Sequence, residues 1–259
     1  MKVFNSKSKN LAYFFYRMIE PIFDPVKFYQ GFKGYYWYTK DIFEYKLKDK
    51  KAQIVNLNLY PKLNEKTSFT SFNGHYFYQQ AWLFDHILKT RPNSHVDVAS
   101  DYNMSAYISR IVPTTFVDIR PIETKLNNLR IIKGDILNLP FKNNSIKSLS
   151  CLHVIEHIGL GRYGDKIDPK GTEKTCLELS RVLAFNGNLY VSLPVGKDTI
   201  CFNAYRIYSP KTVVNFFKNL KLVEFSLVDD NNIFHKKCSY NKFNKLNYSC
   251  GMFLFKKYD

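Results

Sequence analysis

The chain has 259 residues, 45% of them hydrophobic and 17% aromatic, enough apolar material for a full α/β core and too much for wholesale disorder. Its formal net charge of +16 is compatible with nucleic acid, an anionic membrane surface or phosphorylated substrates as partners. The lysines are dispersed among abundant Asn, Tyr, Phe and Ile, in the manner of an AT-rich genome's codon bias, so no dedicated nucleic-acid face is expected.

Residues 1–60 are rich in aromatics and lysine, with apolar residues at helical spacing broken by Pro21, Pro25, Gly31 and Gly34. That pattern predicts several short helices, in an N-terminal cap segment over residues 1–74. Its aromatic stripe is a packing face or, alternatively, a peripheral membrane anchor or binding lip. Arg17 and Glu20 interrupt the apolar run of the N-terminus, and no small-residue cleavage site follows, so no signal peptide is expected. No stretch approaches the roughly 18 uninterrupted apolar residues of a transmembrane helix. The five cysteines (Cys151, Cys176, Cys201, Cys238, Cys250) are scattered, with no CxxC pair. Their spacing argues for reduced thiols in a cytoplasm and against a disulfide framework or a structural zinc site.

From about residue 75 the pattern becomes regular. HYFYQQAWLFDHILKT predicts an amphipathic helix, HVDVAS a first strand and MSAYISRIV a helix. TTFVDI, LRIIKGDI and SIKSLSCLHV predict the next three strands, TEKTCLELSRVL a helix, and GNLYVSLPV a fifth strand. PKTVVNFFKNL predicts another helix, LKLVEFSLVDD a sixth strand and SCGMFLFKKY a seventh. Strands alternating with helices imply a parallel sheet with right-handed crossovers. The last two strands are separated by a polar loop without a helix, so they are expected to pair antiparallel. An α/β domain over residues 75–259 is the result.

Open α/β sheets bind ligands beyond the carboxyl ends of their strands. Here the first strand ends at Asp97, the second at Asp118, and the third runs into Gly134 and Asp135. The fourth delivers His153, Glu156 and His157, and the fifth ends at Pro194 and Gly196. Each acid also has a bland role open to it: Asp97 as a helix cap, Asp118 as the cap of the turn before Pro121. Four consecutive strands ending in polar groups favour a bound nucleoside.

The order VDVAS, VDI, GDILNLPF, LHVIEH and GNLYVSLPVG resembles the class I S-adenosylmethionine-dependent methyltransferases, over residues 60–230. The resemblance implies a Rossmann-like fold: a mostly parallel seven-stranded sheet with an antiparallel last strand, preceded by the N-terminal helical cap. It implies S-adenosyl-L-methionine as cofactor, with Asp118 and its neighbour Ile119 at the ribose, and Asp135 with Ile136 at the adenine. Asp97, Ala99 and Ser100 of the first loop, with His153, complete that implied cofactor site. The segments LHVIEHIGLGRYGD and FNAYRIYSP are similar to a bacterial methyltransferase-like family of unassigned function often found with surface-polysaccharide genes. One departure stands out. The family's first loop is usually D-x-G-x-G-x-G, and its glycine positions are occupied here by Ala99, Asp101 and Asn103. A Cβ at each restricts left-handed backbone and close approach to a ligand, implying a weaker or differently shaped cofactor site.

Methyl transfer to a hydroxyl or amine needs the acceptor oriented and deprotonated, and a neutral imidazole suits the second task. His157 is the preferred general base, with His153 the alternative, and Glu156 orients an imidazole or binds substrate. At i and i+4 the two histidines would share a helical face, a spacing that also suits a metal. Only Asp165 and Asp168 are nearby recruits, so no metal is expected. Arg162 and Tyr163 of the GLGRYGD loop, with Asp165, are candidate acceptor contacts, as are Asn203 and Arg206. His75 and Tyr78 are candidates to close over the site, although most of their helix is expected to be core.

The leading expectation is methylation of a small anionic acceptor, a cell-surface glycan or its nucleotide-activated precursor. A methyltransferase acting on RNA or protein is a second possibility, favoured by charge but lacking an RNA-binding module. A non-catalytic scaffold on the same fold is the third, favoured by the missing glycines.

Overall fold

Residues 7–48, 59–242 and 246–258 are described by the computed structural model. They fall into two units, Met1–Phe72 and Asn73–Asp259. In the first, helices α1 (Lys7–Ile19) and α2 (Pro25–Lys48) are separated at the predicted proline break. Asp24 accepts the backbone N–H groups of Val26 and Lys27 at 3.0 and 3.1 Å, and Pro25 then occupies the first turn, where its missing N–H costs nothing. The glycines do not break α2, which runs through both Gly31 and Gly34, so among the described residues two helices stand where several short ones were expected. The reason is packing: a Cβ on Gly34 would lie 2.5 Å from the Cβ of Leu63, so glycine lets that segment pass against the helix. No described helix is long and apolar enough to cross a membrane.

The second unit is built on an eight-stranded sheet in the order β3-β2-β1-β4-β5-β10-β8-β9. Its strands are β1 (His95–Val98), β2 (Thr114–Asp118), β3 (Leu129–Lys133), β4 (Ile146–Leu152), β5 (Leu183–Val195), β8 (Lys221–Val228), β9 (Phe234–His235) and β10 (Ser249–Lys256). All seven predicted strands are present. β9 is an additional two-residue edge, and β6 (Thr199–Cys201) with β7 (Tyr205–Ile207) forms a separate hairpin inside FNAYRIYSP. Strands β1 to β5 pair in parallel. β10 then inserts antiparallel between β5 and β8, so the last two long strands do pair antiparallel.

Helices α3 (Gly74–Thr90) and α4 (Tyr102–Ile108) supply one core, and α5 (Gly171–Val182) and α6 (Pro210–Phe216) the other. Period-two alternation in the sheet divides side chains between them. Along β10, Cys250, Met252 and Leu254 join Trp82, Leu83 and Ile87 of α3, whereas Phe253 and Phe255 join Val213 and Phe217 near α6. The strand order reverses between β1 and β4, so the carboxyl ends of these strands open the crevice in which such sheets bind ligands.

Under that crevice lies a buried polar chain. His95 is fully buried, with Nδ1 2.8 Å from Ser148 Oγ and Nε2 2.8 Å from Ser150 Oγ. Ser150 Oγ in turn donates to Asp97. Burial holds His95 at a pKa of about 3, so the folded ring is neutral through the acid range while the unfolded one charges near 6.5. The unfolded state therefore binds the extra proton, and the His95 contribution to stability is lost as pH falls from about 6.5 toward 3. Asp97, raised to about 6 mainly by burial, acts in the opposite sense, so a His95 variant is needed to separate the two. His95→Gln keeps a neutral hydrogen-bonding side chain. Its stability in urea, relative to the parent, should improve on going from pH 8 to pH 4.5. A difference between parent and variant that does not change with pH would contradict the buried neutral imidazole.

Candidate active site

The site begins with the first loop. Ala99 follows β1 with φ +55, the left-handed conformation for which glycine is ordinarily used. Asp101 caps α4, accepting the Asn103 N–H at 2.9 Å, and is itself held by Gln80 Nε2 at 2.9 Å. Asp97 is 2% exposed and accepts hydroxyls from Ser100 at 2.7 Å, Ser105 at 3.0 Å and Ser150. Burial raises its pKa to about 6 against these hydrogen bonds. Ser100 Oγ also accepts the Leu152 N–H at 2.9 Å, tying the loop to β4. Asp97 and Ser100 are thus spent on holding the loop, and of the three first-loop candidates only Ala99 faces the crevice.

That crevice is a cavity of about 480 Å³ at the carboxyl ends of β1 to β4. Ala99, Asp118, Ile119, Asp135, Ile136, His153, His157, Tyr163 and Asp165, all singled out in the sequence, line it together. Asp118 also accepts the Arg120 N–H at 2.6 Å, and Asp135 the Leu137 N–H at 2.9 Å. Each acid therefore caps its own turn and also lines the cavity, so the capping bond does not remove it from the cavity wall.

After β4 the chain makes turns rather than a helix, and the i, i+4 relation of the histidines does not put them on one helical face. His153 sits at φ +54, and its Nδ1 donates to Glu156 Oε1 at 2.8 Å. Glu156 is fully buried and lies 3.7 Å from His157 Nε2. Burial disfavours a charged His153, but the Glu156 carboxylate outweighs it and raises the pKa to about 10. His157 behaves differently. Its Nδ1 donates to the Ala204 carbonyl at 2.6 Å, and burial lowers its pKa despite the attraction of Glu156.

The remaining candidates divide. Asp165 gathers the glycine loop, accepting N–H groups of Gly159 at 2.6 Å, Tyr163 at 3.3 Å and Gly161 at 3.4 Å. Arg162 donates to the Ala204 carbonyl at 3.0 Å and packs on the Tyr163 ring, 5.0 Å from its centre. Arg206, 3% exposed, spends its guanidinium on the carbonyls of Ile158 at 2.6 Å and Asp168 at 3.2 Å, so it braces the turn from below. Asn203 is exposed and Tyr78 stacks on Phe234 at 5.3 Å; neither lines the cavity. His75 is buried and stacks against the His153 ring at 5.5 Å. Arg120 and Lys166 line the cavity and were not singled out in the sequence. Arg120 is the nearer miss, since it stands two residues after Asp118 and lies 4.8 Å over the Tyr163 ring.

The fold is that of the class I methyltransferases. Two solved structures with this architecture are N-methyltransferase NodS from Bradyrhizobium japonicum, crystallised with S-adenosyl-L-homocysteine, and the [4+2]-cyclase SpnF. NodS superposes with a TM-score of 0.51 at 12% identity, covering 78% of this chain and 94% of its own. SpnF superposes with a TM-score of 0.55 at 10% identity, covering 75% of this chain and 86% of its own. A family model described as a Caenorhabditis protein of unknown function, DUF268, matches residues 140–250. No curated protein sequence matches the chain.

Ala99 gives a direct check on the loop. Left-handed backbone costs a Cβ-bearing residue about 1–2 kcal/mol, and glycine costs about 0.5–1 kcal/mol more entropy on folding. Ala99→Gly should therefore stabilise the chain by about 0.5–1 kcal/mol, seen as a higher Tm. A lower Tm would contradict the left-handed turn.

Proposed function

We propose that the chain transfers a methyl group from S-adenosyl-L-methionine to a hydroxyl or amine of a small anionic acceptor. The observation that carries this reading is the cavity itself. It has two carboxylates after β2 and β3, apolar Ile119 and Ile136 next to them, and a buried neutral imidazole at the end of β4. Such residues fit a nucleoside: the carboxylates accept hydrogen bonds from hydroxyl or amino groups, and the isoleucines cover a planar ring. Asp118 would hold the ribose and Asp135 with Ile136 the adenine, as the sequence resemblance implies. When bound, the cofactor supplies an electrophilic methyl group on a sulfonium.

The chain's own task is to orient and deprotonate the acceptor. His157 suits the second role. With Nδ1–H committed to the Ala204 carbonyl, the neutral ring carries its lone pair on Nε2. The acceptor proton passes to Nε2, and Glu156, 3.7 Å away, stabilises the imidazolium that results. Arg120 and Lys166 give the cavity wall positive charge, and Tyr163 offers a face beside Arg120. A cell-surface glycan or its nucleotide-activated precursor, the acceptor class implied by the resemblance, matches that wall, because sugars stack on tyrosine and phosphates take guanidinium groups.

Asp118→Ala should weaken S-adenosyl-L-homocysteine binding by about 1.5–3 kcal/mol, or roughly 10- to 150-fold, in titration calorimetry. Equal affinity in parent and variant would remove the ribose from Asp118. No binding by the parent would favour a non-catalytic scaffold instead.

His157→Ala should lower turnover by roughly 10²–10⁴ with cofactor affinity nearly intact. The base is active when neutral, so the rate of the parent should rise with pH through the His157 pKa. Because burial lowers that pKa, the ascending limb should lie below the ordinary histidine value of 6.5. A limb above 6.5, or one that persists in His157→Ala, would assign the proton to another group.

A further inference from the structure

Behind the cavity wall, three side chains from distant parts of the sequence meet. His75 lies in the first turn of α3, His153 follows β4, and Cys250 is the second residue of β10. One ring nitrogen of each histidine and the Cys250 sulfur lie within 4.8 Å of one another. Among the described residues this is the one group of three side chains able to hold a metal ion. All three are buried, Cys250 completely and the histidines to 8 and 9% exposure.

A second, independent feature points to a ligand. His153 Nδ1 is committed to Glu156, which leaves Nε2 for the cluster; that buried Nε2 makes no geometrically sound hydrogen bond, and the Cys250 side chain is the group it interacts with. A buried nitrogen left this way costs about 1–3 kcal/mol unless something binds it. The supports also match those of metal-binding histidines, which donate the other ring N–H to a carboxylate or a backbone carbonyl. His153 donates to the Glu156 carboxylate, and His75 has a hydrogen bond with the backbone of Tyr248. Stacking fixes both rings: Tyr248 lies 5.0 Å from His75, and Tyr76 lies 5.3 Å from His153.

We propose that His75, His153 and Cys250 form a binding site for a zinc-class divalent metal ion, with a fourth position open to a water molecule. Two imidazoles and a thiolate are a borderline-soft donor set that suits zinc and cobalt(II) and rejects magnesium and calcium. Tetrahedral ligands at about 2.0–2.3 Å from zinc lie about 3–4 Å apart, so the 4.8 Å cluster closes by roughly an ångström when loaded. Binding displaces two protons to solvent, one from the Cys250 thiol and one from Nε2 of the His153 imidazolium, while Nδ1–H stays on Glu156. The inference goes beyond the methyl-transfer reading; the two share only His153, which also lines the cavity, and the metal is therefore titrated in the absence of S-adenosyl compounds.

The test uses the full chain, stripped with a chelator and free of S-adenosyl compounds, titrated with cobalt(II) and then zinc. One cobalt per chain should bind, with a thiolate-to-cobalt charge-transfer band and the intense ligand-field absorption of a tetrahedral site. Zinc should displace it and abolish both. Folded Cys250→Ser should lose the charge-transfer band, whereas Cys201→Ser and Cys238→Ser should keep it. His75→Ala and Glu156→Gln should each weaken zinc binding by about 10- to 100-fold, the range for altered support of a ligand or more. Parent protein that binds cobalt without a thiolate band, or binds none, overturns the proposal even if the variants do not fold. So does a band that survives in folded Cys250→Ser. Loss of the metal site would leave the cofactor reading intact, since S-adenosyl-L-homocysteine binding is measured separately.

Discussion

The carboxylate of Glu156, fully buried at the turn after β4, is the constraint around which the site is organised. It takes the Nδ1 proton of His153 on one side and stands 3.7 Å from His157 Nε2 on the other. The chain around it is held by groups that do no chemistry. The Glu156 carbonyl accepts the Arg206 N–H at 3.0 Å, and Thr172 Oγ1 donates to the Ile155 carbonyl at 2.9 Å. Arg206 then ties the carbonyls of Ile158 and Asp168 together. One buried charge so placed separates the two histidines in character: one is drawn toward the charged form, the other kept neutral by burial.

The sheet was largely legible because its signal is local. Runs such as HVDV, TTFVD and SCGMFLFK are β-branched or aromatic and bounded by turn residues, and period-two alternation splits them between two cores. Hairpin β6–β7 escaped because three-residue strands carry too little pattern. Gly31 and Gly34 misled for a related reason: a glycine reads as a break, but at Gly34 the packing of Leu63 decides. That Asp118 and Asp135 would line the crevice was legible because ligand crevices in this topology open at the strand ends. Arg206 and Arg162 meet backbone carbonyls and do not line the cavity, a difference that sequence does not carry, since it does not say whether a guanidinium meets a ligand or a carbonyl. The meeting of His75, His153 and Cys250 was invisible, because only the tertiary fold brings α3, β4 and β10 to one point.

Architecture alone does not select a reaction. The same fold carries an N-methyltransferase and a [4+2]-cyclase among the structures it superposes on, at identities of 12 and 10%. What argues for a bound nucleoside here is the pairing of Asp118 and Asp135 with an apolar floor in one cavity. The first loop argues for a tighter, less adaptable mouth than a glycine loop makes. Its Asp97 and Ser100 are locked in serine and backbone hydrogen bonds, and Ala99 holds a conformation that glycine would hold without strain.

The claim on which the rest turns is that this cavity takes an S-adenosyl compound. The most direct test is a crystal structure of the full chain grown at saturating S-adenosyl-L-homocysteine. Density for the nucleoside should fill the cavity, with ribose hydroxyls on the Asp118 carboxylate and the adenine beside Ile136. A cavity that stays free of the ligand at saturation, or a nucleoside bound elsewhere on the sheet, would contradict it.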